Sequence, residues 1–538
     1  MRKWGALIVL SLAQFLMVLD QAVMNVSISQ LVEDFNTTVT TIQAVITLYA
    51  LVMATLMITG GRIGDILGRR RTFAIGLVIY GAGSALTAVS WNVASLLVGW
   101  SVLEGIGAAL VLPALVALIA ANYRGRDRVA AFGVIGGVSG VGIAVGPIVG
   151  GFFTANLSWR WVFVGEVIIA LLILVLLRLV GDAPVEGRRP KLDVVGSVLS
   201  ALGLGLIVFA LLQASSWGWL QPKQSPIEPF GFALTPFVVL AGVLVLYAFV
   251  GWQRRRERLG LDPLVRLRLL TILPLRSGLN CFLSQNLILL GIFFTLPLYL
   301  QIVLGYDALE TGIRMLPISI TMFVTSASGP ALTSRFGARR IVQAGFVLLV
   351  VAAFAMLGTI EPELDNVPFS IALAILGVGM GLIASQLGNV VQSSVSDDER
   401  GEAGGLQYTA QQLGSSMGTA LIGAIVISAL LFAFVDNVSS NERISGELSE
   451  AIEVSVSAGG NFVAADEVEA VLVDAGVPED ETAEVVDDYR ESQLQSLKIG
   501  LLVVAFLAVL SLRFTVNLPG REGEDDEPAD VPVPVRSA

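Results

Sequence analysis

The sequence predicts an all-α polytopic membrane protein of fourteen transmembrane helices, and three observations carry that expectation. Its 538 residues have a mean hydropathy of +0.79, with 55 % hydrophobic and only 14 % charged side chains, far from the balance of a soluble domain. Fourteen apolar segments approach the ~20 residues that a helix needs to cross a bilayer. Of the 33 lysines and arginines, 27 fall on one set of alternating inter-span segments and 6 on the other. Such an asymmetry places the basic side inside. Both termini are therefore expected in the cytoplasm, in a multi-pass protein of the plasma (inner) membrane whose first partner is the lipid bilayer.

The first span, 4–26, has an apolar run too long for a signal peptide and no small-residue cleavage site, so it reads as uncleaved. Spans 42–61, 73–90, 95–119, 129–153 and 160–180 follow, then 193–213 and 233–252. The last six are 277–300, 312–333, 341–360, 367–390, 404–433 and 495–516. Histidine is absent, which excludes a histidine proton relay or metal site, and the single cysteine, Cys281, excludes an intramolecular disulfide. No metal and no cofactor is expected. There is no phosphate-binding loop, nucleotide fingerprint or nucleophile constellation, so neither an enzyme nor a nucleic-acid binder is expected.

The fifth span carries the most specific pattern. Eight of the 19 residues in 133–151, GVIGGVSGVGIAVGPIVGG, are glycine. Glycine costs a helix roughly 1 kcal/mol against alanine in water. In lipid, small residues are favoured where helix backbones approach closely. Gly142, Gly146 and Gly150 form one stripe, Gly133, Gly136 and Gly140 widen it, and Pro147 invites a kink. Gly133, Gly142, Gly146, Pro147, Gly150 and Gly151 resemble, position for position, the fifth-helix signature of antiporters in the major facilitator superfamily. That resemblance implies two six-helix halves, and fourteen spans resemble its drug:proton antiporter branch.

An internal repeat fits two halves. GGRIGDILGRRR at 60–71 and GPALTSRFGARR at 329–340 share Gly60/Gly329, Gly68/Gly337, Arg70/Arg339 and Arg71/Arg340, and each follows the second span of a six-helix unit. The expected organisation is an N-terminal half (1–181), two inserted helices with their loops (182–275), a C-terminal half (276–516) and a disordered cytoplasmic tail (517–538). Gly61, Asp65, Gly68, Arg69 and Arg70 resemble the superfamily's inner-loop motif, which implies a latch that holds the inside closed. Physically, Asp65 suits either the neighbouring arginines or a helix N-terminus on the other half. In the second copy Ser334 replaces the aspartate, so that copy reads as structural.

Three carboxylates, Asp20, Glu104 and Glu166, fall inside spans of the first half, and an intramembrane ionisable residue marks a functional site by default. Asp20 and Asn25 resemble the branch's first-helix motif. The fourth helix departs from its family, with Ser101 where an arginine usually stands and Glu104 where a glutamine does. All three carboxylates are assigned to proton coupling, although Glu166 also reads as a solvated helix end. Gln21, Asn25, Trp100, Ser101, Phe293, Phe294, Tyr299, Gln407, Tyr408 and Gln411 are the candidates for a substrate cavity. Residues 436–491 hold 16 acidic and 2 basic side chains, so the net charge of −11 comes from this loop. The loop, 436–493, reads as a solvated acidic segment or as a small outer helical cap.

The expected function is proton-coupled export of a lipophilic small molecule, cationic or neutral, by a monomer. Its cavity is expected to be acidic because a carboxyl replaces a cation. The direction rests on the antiporter resemblance. Two alternatives stand beside it: the same fold moving an endogenous lipid, antibiotic or nutrient, and a membrane receptor or scaffold with vestigial transport.

Overall fold

The computed structural model describes residues 4–181, 191–222, 225–457 and 462–520. The tail beyond Gly520 lies outside them, and so does 182–190. The described residues form helices throughout, with no strand. Six long helices come first: α1 Gly5–Val26, α2 Val39–Leu67, α3 Arg69–Ala88, α4 Val93–Asn122, α5 Gly125–Asn156 and α6 Arg160–Leu176. Two follow as a pair, α7 Val194–Trp217 and α8 Thr235–Arg258. The rest are α9 Leu273–Pro297, α10 Ala308–Ala327, α11 Gly329–Leu357, α12 Asn366–Ser393, α13 Arg400–Ser440 and α14 Glu479–Ser511. All except α10, which carries Glu310 and Arg314, are long and apolar enough to cross a membrane.

Local sequence explains the punctuation. Gly68 adopts φ +97° between α2 and α3, and Gly337 adopts φ +76° within α11, so the two repeat glycines make the same left-handed break. Only glycine takes that conformation without strain. Asn92 and Ser95 close a reciprocal cap before α4, and Asp307 with Glu310 does the same for α10. Within α4, Leu97–Glu104 widens into π-helical turns, a feature concentrated at functional sites.

The two largest hydrophobic cores follow the halves. One is built from residues between Ala6 and Val180 together with Tyr408, and the other from residues between Leu269 and Leu518. The inserted pair packs on itself where Gly203 meets Gly242. Helix α7 also rests on both halves, through Leu204 with Ile58 of α2 and through Leu211 with Ala420 of α13. The two cores meet at the arginine-rich end of the bundle, called here the basic end. At the other end sits the acidic segment.

That segment is a folded cap. Helix α13 runs on to Ser440, and α14 begins at Glu479, well before its predicted start at 495. Short helices Gly446–Ser457 and Ala465–Asp474 pack on these extensions around Phe434, Val485, Val486 and Tyr489. Hydropathy averaged over a window misses this small core, because its apolar stripe is diluted by the acidic face. In a Cys281→Ser background, a cysteine placed at Glu447 in the cap should react with a membrane-impermeant maleimide on intact cells. One placed at Arg258 should react only after lysis, and the reverse pattern would invert the topology.

The glycine run of α5 is divided among three neighbours, α1, α10 and, through Gly136 with Ala384, α12, instead of forming one widened stripe. A Cβ on Gly142, Gly146 or Gly150 would meet Val18, Ala22 or Val23 of α1, the closest at 2.2 Å from the Ala22 Cβ. On Gly133 it would lie 2.3 Å from the Ser326 carbonyl oxygen, and on Gly140 it would meet Met322, both on α10 of the other half. Gly151 has open space, and the Pro147 side chain lies outside the described residues.

Candidate functional site

Asp20 on α1, Glu104 on α4 and Glu166 on α6 converge in the interior of the first half. One carboxylate oxygen from each lies within 4.8 Å of the others, and all three side chains are shut off from solvent. Small residues make the approach possible: a Cβ on Gly83 of α3 would stand 2.7 Å from the Glu104 Cγ. Each carboxyl is held by one oxygen. Trp100 Nε1 donates to Asp20 at 2.7 Å, Thr87 Oγ1 to Glu104 at 3.2 Å, and Tyr80 and Ser84 hydroxyls to Glu166 at 3.0 and 3.2 Å. Asp20 Oδ2, Glu104 Oε2 and Glu166 Oε1 make no well-formed hydrogen bond, and the buried Tyr49 hydroxyl lies beside Asp20, its ring stacked on Trp100.

Three negative charges do not coexist at this spacing. At an effective dielectric of about 20, each like-charged pair at 4.8 Å costs ~3.5 kcal/mol before desolvation is counted. Full ionisation of the cluster is therefore disfavoured. Three oxygens also make a set that accepts a small hard cation, an arrangement that the composition gave no reason to expect. Glu166, which also read as a solvated helix end, sits fully inside.

A separate chamber of about 870 Å³ lies between the halves. Gln21, Phe293, Phe294, Gln407, Tyr408 and Gln411 line it. Trp100, Ser101 and Tyr299 do not: Trp100 serves Asp20, Ser101 donates to the Val45 carbonyl, and the Tyr299 hydroxyl donates to the Glu361 carbonyl. The side chain of Asn25 lies outside the described residues. The expected acidity of the cavity is also corrected. Among the described residues no charged side chain lines it, because α1 turns Asp20 inward to α4 and α6 while Gln21 and Ala22 face the chamber. Every described hydrogen bond between the halves lies at or on the basic side of Gln14–Tyr408, which join at 3.0 Å. Toward the cap end Gln301 and Thr311 of the second half also line the chamber.

At the basic end the two halves touch through the inner-loop motif. A Cβ on Gly61 would lie 2.4 Å from the Gly401 carbonyl oxygen, and one on Gly401 would lie 2.2 Å from Asp65 Oδ1. Asp65 thus abuts the first turn of α13, where the helix dipole favours negative charge. Arg69 lies 3.7 Å from Asp65 and donates to the Asp397 carbonyl, Gly68 makes the turn, and Arg70 is half-buried beside it. Three members were not anticipated. Arg62 and Glu402, both 1 % exposed, pair at 3.7 Å across the halves. Arg266, in the segment after α8, contacts Asp398 at 3.0 Å and Glu399 at 2.9 Å. Burial alone would lower the Arg266 pKa, but hydrogen bonds to Glu399 and Asp398 outweigh it and hold the guanidinium above its ordinary value. The acidic run DDERGE at 397–402, opposite GGRIGDILGRRR, was the available signal.

Removing either end of this network should loosen it. Asp65→Asn and Arg266→Ala are each expected to shift the closed-to-open ratio of the basic end by roughly five- to thirtyfold, the equivalent of about 1–2 kcal/mol. Labelling of a cysteine placed at Ser394, in a Cys281→Ser background, reads the opening. Unchanged labelling in both variants would show that neither residue holds the gate.

Two helical halves around a central chamber, joined at one end, define the architecture of a secondary transporter. The chain belongs to the Major Facilitator Superfamily, whose family profile matches residues 10–419. It is 34 % identical to a probable actinorhodin transporter of Streptomyces coelicolor, over 82 % of this chain and 76 % of that protein. It is also 28 % identical to the tetracenomycin C resistance and export protein of Streptomyces glaucescens, over 100 % of this chain and 95 % of the relative. Among solved structures, the proton:xylose symporter XylE superposes with a TM-score of 0.57 at 13 % identity, covering 96 % of each chain. At that identity the likeness concerns the fold.

Proposed function

We propose that this transporter exports a lipophilic small molecule in exchange for protons, with both termini cytoplasmic. The observation that carries the reading is the buried three-carboxyl cluster, packed behind a chamber wall to which α1 contributes Gln21 while its neighbour Asp20 faces the cluster. Protonation changes the charge at the interior of α1, α4 and α6, and α1 is also seated on α5, which meets α10 of the other half. A proton taken up from outside can thereby bias how the halves close. The relatives, a probable actinorhodin transporter and a tetracenomycin C resistance and export protein, support export and an antibiotic as one cargo.

Substrate-induced proton release from purified protein in detergent, together with flux into everted vesicles driven by a pH gradient, tests the reading. Release of protons on substrate addition is expected. Flux that follows a sodium gradient and ignores pH would replace the proton by the cation. No flux under any gradient would favour a receptor or scaffold.

A further inference from the structure

We propose that the chamber is polarised and selects an uncharged lipophile that carries hydrogen-bond donors along one edge. The inference rests on reading this cavity as the substrate chamber, and it narrows the cargo from cationic or neutral to neutral. Its first support is the wall's lack of charge among the described residues. A cation brought from water into such a wall loses hydration that no carboxylate replaces, whereas a neutral ring system loses little.

The second support is the direction in which the amides point. On the second half, Asn286 donates its NH₂ to the Phe282 carbonyl at 2.9 Å, and Gln285 donates its NH₂ to the Met380 carbonyl at 3.4 Å. A carbonyl only accepts, so the bonded end of each amide is fixed as nitrogen and the free end is oxygen. Neither oxygen accepts a hydrogen bond from a described residue. These two residues, neighbours on α9, give the chamber an acceptor edge, whereas the Gln407 Oε1 is buried away from it.

The first half offers the opposite wall. Met17, Val18, Met53, Met57, Phe132 and Ile135 line it. Its central amide is already satisfied. Ser139 gives its hydroxyl proton to the Ile135 carbonyl at 3.0 Å, so it accepts from Gln14 Nε2, and Gln14 Oε1 accepts from the Tyr408 hydroxyl. A flat aromatic ring lies well against methionine and phenylalanine, with its hydroxyl or N–H groups turned to the amide oxygens. Buried acceptors left unmatched are costly, so a ligand without donors is disfavoured.

A fluorescent pyrene series tests this on purified full-length protein in detergent, below the pH at which the hydroxyl ionises. Hydroxypyrene, methoxypyrene and trimethylammonio-pyrene, substituted at the same ring carbon, differ in donor, charge and added methyl groups, and two chamber variants separate the donor from the bulk. Hydroxypyrene should bind roughly tenfold tighter than methoxypyrene, the worth of one buried hydrogen bond, and the cation should bind weakest. In Asn286→Leu and Gln285→Leu the advantage of hydroxyl over methoxy should shrink while methoxypyrene binding persists. Equal binding of the two neutral probes, tighter binding of the cation, or no saturable binding of hydroxypyrene would each overturn the inference. Because binding needs no gradient, selective binding without proton-driven flux would sink the export reading and leave this inference standing.

Discussion

Glu104→Gln is expected to abolish uphill export while the protein remains inserted and folded. The substitution keeps the volume and the acceptor oxygen for Thr87 but removes one of the three groups able to exchange a proton within 4.8 Å. Asp20→Asn should act similarly, since it disconnects the member of the cluster nearest the chamber wall and keeps an acceptor for Trp100. The expected loss is of concentrative transport, by at least ~100-fold, in the range attributed to a positioned acid–base group. Downhill exchange with equal pH on both sides should persist. Export against a gradient by Glu104→Gln at the parental rate would make Glu104 structural and leave Asp20 and Glu166 to carry coupling. Since neither carboxyl lines the chamber, ligand affinity measured at fixed pH should change little in either variant. A large affinity loss would mean that substrate and proton share one site.

Two glycine substitutions on α5 should fail in different ways. In Gly146→Leu the new side chain begins 2.2 Å from the Ala22 Cβ, so α1 must move away from α5 within the first half. Overpacking of this kind costs about 1–3 kcal/mol, and here it also displaces Asp20 and Gln21. Lower thermal stability and loss of transport are expected together. Pairing Gly146→Ala with Ala22→Gly exchanges the methyl group across the contact and should restore both. Gly133→Leu, in contrast, meets the Ser326 carbonyl of the opposite half, a contact that opening of the basic end is expected to break. That variant should insert and melt normally yet label readily at the basic end. Wild-type transport by Gly146→Leu, or normal closure by Gly133→Leu, would remove the close-approach argument for the respective stripe.

Local properties were legible in advance. Hydropathy and the spacing of arginines gave the helices, the repeat that ends in Gly68 and Gly337, and the assignment of Asp20, Glu104 and Glu166 to one half. The glycine pattern of α5 gave the family. Each of these depends on residues near one another in the chain. The acidic cap was half-legible, because its helical spacing was present but its core required α13 and α14 to lie side by side.

Rotation of helices about their axes decided the rest. It turned Asp20 into the first half and its neighbour Gln21 into the chamber, so that three carboxyls at 20, 104 and 166 share one pocket and the cavity wall is left uncharged. It removed Trp100, Ser101 and Tyr299 from that wall by giving each a partner elsewhere. It also brought Arg266, from the segment after the inserted pair, against Glu399 and Glu402. Periodicity tells which face of a helix is polar, but in a bundle polar on every interior side it does not tell which neighbour that face will meet. Only the packing of α1 against α5, and of α13 against α2 and α4, fixed those pairings, through glycines where two backbones had to touch.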